Sequence, residues 1–159
     1  MKQRVDPRSR LIAWSLVAGQ LVIVGFQVTA KRDTAWKTPR TIRAAADAAS
    51  IVGLVGMTVA ARHLGGNLTP SPLPKQNSAL IVEGLYRYVR HPIYSFLLLF
   101  SAGQATGAGS LRRLGAFVSL AVLLTAKASW EERSLTEKFN AYSQYAAVTP
   151  RFVPWPRFG

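Results

Sequence analysis

The sequence predicts an all-α integral membrane protein: a helical bundle of about four transmembrane helices, then a C-terminal amphipathic helix and an extended tail. Three observations predict it. Of the 159 residues, 49% are hydrophobic and only 17% are charged, whereas a soluble domain carries about 25% charge. The apolar residues gather into long runs with few charges inside them. The basic residues collect between those runs and give a net charge of +13. A nucleic-acid interface would set them along one face among aromatics. Here they flank apolar runs, so membrane lipids with anionic headgroups are the expected partners and nucleic acid is not.

The first run, 11–30, contains no charged residue and has the ~20 residues a helix needs to cross a bilayer. Lys2, Arg4, Arg8 and Arg10 precede it. A signal peptide has the same layout, and Val28-Thr29-Ala30 is cleavage-like. The run exceeds the ~7–15 residues of a signal core, however, and further apolar runs follow, so a retained helix is expected. The second run, 44–61, is rich in Ala and Gly, with Gly53 and Gly56 one turn apart to allow close helix approach. Asp47 near its start is expected to pair with Arg43 or a neighbouring helix.

The stretch 62–88 is a connector of different composition. It holds Gly65-Gly66-Asn67 and then Pro70, Pro72 and Pro74, a spacing that forbids helix and favours an extended path. Connectors of this length are more often functional than idle. The third run begins at Pro92, suited to a first helical turn, with His91 at the cap, and reaches 108. Gly103 and Gly107 form a small-residue packing pair. Arg112-Arg113 mark a turn into the fourth run, 114–126, which spans a membrane only if Lys127 and the arginines snorkel to the interfaces. Runs three and four are expected to form a hairpin. From Ser129 the spacing of Trp130, Leu135, Phe139 and Tyr142 predicts the amphipathic helix. Pro150, Pro154 and Pro156 make the tail extended. The whole chain reads as one domain, 1–159, with two N-terminal spans in 1–61 and the connector, hairpin and C-terminal segment in 62–159.

With four spans both termini share one side. That side holds thirteen of the Lys and Arg residues and the other side seven, which predicts a multi-pass protein with cytoplasmic termini. There are no cysteines, which excludes disulfides, thiolate chemistry, Fe–S clusters and Cys-based zinc sites. His63 and His91 are the only histidines and lack a carboxylate set in sequence, so no metal is expected.

Two polar clusters stand at the ends of apolar runs. Arg87, Arg90, His91 and Tyr94 fall at i, i+3, i+4 and i+7 and would share a face if the helix began early. Lys127 and Glu131 are four apart, and Glu132 follows directly. Taken singly, Arg and Lys there are headgroup anchors and Tyr is a belt residue. Polar groups at membrane depth are costly unless they serve a ligand or partner, so their joint presence points to a site. A zwitterionic ligand fits such a mixture, its carboxylate on Arg and its amine or hydroxyls on Glu.

The run Gly84-Leu85-Tyr86-Arg87-Tyr88-Val89-Arg90-His91-Pro92-Ile93-Tyr94 resembles the signature of the isoprenylcysteine carboxyl methyltransferase and phospholipid methyltransferase superfamily. So do Glu131-Glu132, Leu135, Phe139, Tyr142, Tyr145 and Pro150-Arg151-Phe152-Val153-Pro154, and upstream Leu64-Gly65-Gly66-Asn67 with the proline-rich connector. The resemblance covers about residues 62–154. It implies an enzyme of the membrane that uses S-adenosyl-L-methionine to methylate a lipophilic acceptor. Carried over by position, it implies cofactor contacts from Ser78, Ala79, Leu80 and Ile81, then Tyr86 and the turn His91, Pro92, Ile93 and Tyr94, then Glu131 with Glu132 beside it. Lys127, Arg90 and Glu131 are the implied catalytic residues, Lys127 standing where a family arginine faces the acceptor. Two positions depart from the pattern. Phe96 replaces a frequent glycine and would narrow a lipid entrance, and Lys127 lacks the bidentate geometry of arginine for a carboxylate. The Arg-His-Pro-Tyr element also occurs in membrane sterol reductase-like proteins, so a nicotinamide-dependent reductase is the alternative enzyme and a noncatalytic membrane scaffold the alternative class.

Overall fold

The computed structural model describes residues 7–30, 33, 35–69 and 79–154. Among them every regular element is a helix: α1 Pro7–Thr29, α2 Arg40–Leu64, α3 Pro92–Ala108, α4 Leu111–Lys138 and α5 Tyr142–Val148, with short 3-10 turns at Gly65–Asn67 and Gly84–Arg87. Among the described residues, three segments are long and apolar enough to cross a membrane: Pro7–Thr29, Arg40–Asn67 and Leu111–Lys138. The third predicted span, α3, has 17 residues, or about 26 Å at 1.5 Å per residue, somewhat less than the ~30 Å hydrocarbon core. The predicted start of α3 holds: Pro92 occupies its first turn and His91 is the N-cap.

One expectation is corrected. The amphipathic stretch from Ser129 is not a separate helix but the continuation of α4, which runs unbroken for 28 residues. Ala126, Lys127 and Ala128 are good helix formers, and no Gly or Pro interrupts the chain there. The change from apolar to amphipathic marks where α4 leaves the hydrocarbon. Glu131 lies about 20 residues past Leu111, which is about 30 Å along the axis.

The chain runs up and down. The described residues of the α1–α2 and α3–α4 connections share one end, and 65–69, 79–91, the end of α4 and α5 share the other. The α3–α4 turn is tight. Gly109 adopts φ +62, a left-handed C-cap that suits glycine, and Ser110 caps α4 by accepting from the Arg113 backbone N–H. Apolar packing centres on Tyr94, Leu97, Leu120, Leu124 and Ala128, so the same α3 and α4 faces that build the core lead up to the polar clusters.

Helix contacts inside the bundle rely on small residues and hydrogen bonds, as expected where lipid supplies no hydrophobic drive. Gly103 sits against Ala46 and Ser50, and Gly107 beside Ala46 and Asp47. Asp47 therefore faces α3, and it makes no ion pair among the described residues. The Phe96 ring lies on Gly56, so this departure from the family pattern is accommodated by the missing side chain on α2. Buried Gln27 and Ser101 bond reciprocally, Gln27 Nε2 to the Ser101 carbonyl at 2.7 Å and Ser101 Oγ to Gln27 Oε1 at 2.6 Å. The Arg113 guanidinium donates to Gln104 Oε1 and to the Ala30 carbonyl. These bonds tie α1 into the bundle.

At Gly53 a Cβ would stand 2.7 Å from both the Phe100 amide and the Phe96 carbonyl of α3. Backbone cannot yield there as a flexible side chain would. Replacing Gly53 with Leu is expected to cost about 3 kcal/mol or more, read as a large fall in melting temperature in detergent. A melting curve equal to wild type would show that α2 and α3 do not pack backbone to backbone.

Candidate active site

The two polar clusters meet at the end of the bundle that carries the connector. His91 arrives on the cap of α3 and Tyr94 on its first turn, while Glu131 and Glu132 arrive on α4. The Tyr94 hydroxyl donates to Glu131 Oε1 at 2.5 Å. His91 Nε2 is 3.0 Å from Glu132 Oε1, and its Nδ1 is 3.4 Å from Glu131 Oε2. The imidazole thus bridges the two carboxylates, and its ring stacks on Tyr94 with centroids 5.3 Å apart. Pro92 makes this possible. It bars His91 from the helix and leaves it at φ −126, ψ 63, so the ring can lie across the helix end.

The tail completes the cluster. Arg151 forks onto Glu132, with Nη2 to Oε2 at 2.6 Å and Nε to Oε1 at 3.0 Å, a bidentate geometry that is among the stronger ion pairs. The backbone of 150–151 lies along the cap of α3: the Arg90 amide donates to the Pro150 carbonyl at 2.9 Å and the His91 amide to the Arg151 carbonyl at 3.1 Å. Ser95 Oγ donates to the Phe152 carbonyl at 2.6 Å, and the Phe152 ring tilts against His91. Residues 150–152 of the tail therefore strap down the ionic cluster.

Arg90 pairs with Glu132 at 3.4 Å. Its Nε is buried and makes no hydrogen bond, and the same holds for the hydroxyl of buried Tyr142. Buried donors left unsatisfied are costly, so both are suited to an incoming acceptor. Tyr145 donates to the Tyr86 carbonyl at 2.5 Å. Burial pushes the Tyr145 phenol up to about 12, and burial likewise raises Tyr86 and Tyr142, so these hydroxyls keep their protons at neutral pH.

A cavity of about 510 Å³ opens beside the connector, lined by His63 and residues Leu80, Ile81, Val82, Glu83 and Gly84. Its volume is in the range of small-molecule sites, ~300–1,000 Å³. Gly84 has φ +60, and a Cβ there would meet the His63 ring; the Leu85 amide donates to His63 Nδ1 at 3.3 Å. The 3-10 turn Gly84–Arg87 thus carries one wall of the cavity and, two residues on, the buried Tyr86, whose carbonyl accepts from Tyr145. The chain runs from the cavity wall through this turn to Arg90 and His91.

Placement of the remaining predicted residues is mixed. Leu80 and Ile81 line the cavity, and the Ala79 carbonyl accepts from Asn67 at 3.2 Å. Ser78 lies outside the described residues. Pro92 is fully buried in the first turn of α3, and Ile93 packs on the apolar core. Lys127 is buried one turn below Glu131, with Nζ 2.9 Å from Gln20 Oε1 and 5.1 Å from the centre of the Tyr94 ring. Arg87 does not join the others. The helix begins only at Pro92, so the i, i+3, i+4, i+7 face is not formed, and Arg87 is exposed with its guanidinium over Tyr88. Sequence reasoning did not single out Arg151, His63 or Gln20 as site residues. The isolated arginine between Pro150 and Phe152 was the available signal for the first; nothing local marks the other two.

His91 carries a pH dependence. Burial works against a charged ring, but hydrogen bonds and charge from Glu131 and Glu132 outweigh it and raise its pKa above the ordinary 6.5. The folded state therefore binds this proton more tightly than the unfolded one. The resulting stabilisation is complete below about pH 6.5 and fades as pH rises through the higher folded value. Melting temperature should fall on alkaline titration from pH 6.5, and His91→Asn should remove that slope. Equal slopes in both proteins would contradict the bridge.

A family model described as phospholipid methyltransferase matches residues 42–142. No curated protein matches the chain. The match runs from α2 through the connector, α3 and α4 to the first residue of α5, and so contains the histidine-proline turn and both glutamates. The apolar spans, the converged polar clusters and this match together place the chain in the phospholipid methyltransferase family of membrane methyltransferases.

Proposed function

We propose that the protein transfers a methyl group from S-adenosyl-L-methionine to a lipophilic acceptor at the membrane surface. The observation that carries this reading is the union of His91 and Tyr94 with Glu131 and Glu132 at distances of 2.5 to 3.4 Å, at the depth where α4 leaves the hydrocarbon. The residues fit the cofactor. Arg90 Nε and the Tyr142 hydroxyl are buried donors awaiting an acceptor, which suits a carboxylate. Glu131 suits an α-amine. The cavity lined by Leu80 and Ile81 suits a nucleoside in volume, with Ala79 next to them on the connector.

When bound, the cofactor supplies an electrophilic methyl on a sulfonium. The protein's part is alignment, exclusion of water and control of charge. The Arg151–Glu132 fork and the tail backbone hold the cap of α3 in place. Tyr94 sets Glu131. His91, already bonded to both glutamates, is a contact rather than a base. The bias of Lys and Arg toward the side of the termini favours cytoplasmic termini, and on that orientation this end of the bundle faces the cytoplasm.

The test is incubation of membranes containing the protein with isotope-labelled S-adenosyl-L-methionine, followed by mass spectrometry of lipids and lipophilic small molecules. Label is expected in at least one lipophilic product and absent with Glu131→Gln. Failure to label any product, together with binding of a nicotinamide dinucleotide to the purified protein, would replace this reading with the reductase one.

A further inference from the structure

His63 stands on the last turn of α2 and lines the cavity beside the connector. Its ring is held by the chain opposite. The Leu85 amide donates to His63 Nδ1 at 3.3 Å. Gly84 lets the backbone come so near that a Cβ there would lie 2.6 Å from Nδ1 and 2.9 Å from Cε1. Further along the end of α2, Asn67 Nδ2 donates to the Ala79 carbonyl at 3.2 Å. The chain after α2 is thus fastened to the connector on both sides of 80–84, the stretch that lines the cavity. The contact with Leu85 also fixes the chemistry of the ring. A backbone N–H can only donate, so Nδ1 is the acceptor and carries no hydrogen. In the neutral imidazole the hydrogen then sits on Nε2. Among the described residues, Nε2 makes no hydrogen bond. His63 therefore brings to the cavity one N–H donor whose tautomer is set by the fold. Leu80, Ile81 and Val82 supply aliphatic side chains to the same cavity. An apolar wall with a single placed donor is the usual make-up of a small-molecule site. It matches a flat heterocycle, whose face packs on the aliphatic groups while a nitrogen in its edge accepts.

We propose that His63 is the residue that selects the nucleobase: its Nε2–H donates to a ring nitrogen of the purine, while its Nδ1 holds the Gly84–Arg87 turn against the cavity. This rests on the methyltransferase reading above, which supplies the adenosyl group, and adds the side chain that recognises the base. His63 is a binding residue in this scheme and takes no part in moving the methyl. The two ring nitrogens have separate tasks, and substitution separates them. Asparagine places its carbonyl oxygen near the position of Nδ1. It keeps an acceptor for the Leu85 amide and leaves nothing in the place of Nε2. A histidine that served only as a clamp would be replaced by asparagine without a change in base preference.

The experiment titrates the purified full chain with adenosine and with its 1-deaza, 3-deaza and 7-deaza forms, each of which replaces one ring nitrogen by C–H. One of the three is expected to bind roughly tenfold more weakly than adenosine, because it leaves the His63 donor unpaired. His63→Asn should bind adenosine roughly tenfold more weakly than the wild type and should no longer distinguish that analogue from adenosine. Melting curves confirm that the variant folds. Equal binding of all four nucleosides by the wild type, a preference that survives in His63→Asn, or no binding of adenosine would overturn the proposal. S-adenosylhomocysteine is titrated into the same samples. A His63-dependent preference among the nucleosides upholds the proposal even where S-adenosylhomocysteine does not bind, an outcome that would defeat the methyltransferase reading alone. Binding of S-adenosylhomocysteine that His63→Asn leaves unchanged would defeat the role of His63 and spare that reading.

Discussion

Replacing Glu132 with Ala is expected to destabilise the protein by about 3 kcal/mol and to abolish cofactor binding. Glu132 is the common partner of Arg151, Arg90 and His91, at distances from 2.6 to 3.4 Å. Its side chain is only 12% exposed and that of Arg90 15%. Removing the carboxylate strands cations in a partly buried site, and breaking one partner of such a pair costs more than the pair is worth. Arg151 is about one-third exposed and can turn to water, which places the estimate at the lower end of the range. Detergent melting should register a fall of roughly 10 °C. Glu132→Gln keeps the shape and loses the charge, so it should recover part of the stability and little of the binding. Wild-type melting in Glu132→Ala would mean that the cluster does not hold this end of the bundle together.

Deleting residues 150–159 should have a comparable effect by another route. The deletion leaves every residue of α3 and α4 intact. It removes the Arg151 fork, the backbone bonds to the Arg90 and His91 amides, the Ser95–Phe152 bond and the Phe152 ring against His91. His91 loses the support that sets its ring, and water gains access to the carboxylates. S-adenosylhomocysteine affinity should drop at least about 100-fold, equivalent to about 2.7 kcal/mol. Helical content should be retained, since residues 150–154 lie outside every helix. Unchanged affinity would show that the strap is dispensable and that α3 and α4 alone form the site.

Much of this arrangement is legible in the sequence because it is encoded locally. Pro92 states its own position at a helix start and forces His91 to the cap. The uncharged runs announce spans, and Gly53, Gly56, Gly103 and Gly107 face the neighbouring helix as small residues in membranes do. The paired glutamates stand out because carboxylates are costly at the end of a span. What is not legible depends on contacts between distant residues. Gln20 is one polar residue in an apolar run with no periodicity to mark it, and its partner Lys127 is 107 positions away. Arg151 sits in a proline-broken tail, and only the folded chain shows that it reaches Glu132. The end of α4 is not legible because a switch from apolar to amphipathic pattern looks the same whether a helix stops or simply leaves the membrane. Arg87 and Arg90 have helical spacing in the sequence, but the cap at His91 keeps both outside α3.

The account turns on whether the carboxylates bridged by His91 form the wall of a nucleoside site. Isothermal titration of S-adenosylhomocysteine into the purified full chain, beside Glu131→Gln, measures this most directly. Saturable binding by the wild type, weakened at least about 100-fold in a folded Glu131→Gln, is the predicted result. A folded wild type with no heat of binding, or a variant that binds as tightly as its parent, would contradict it.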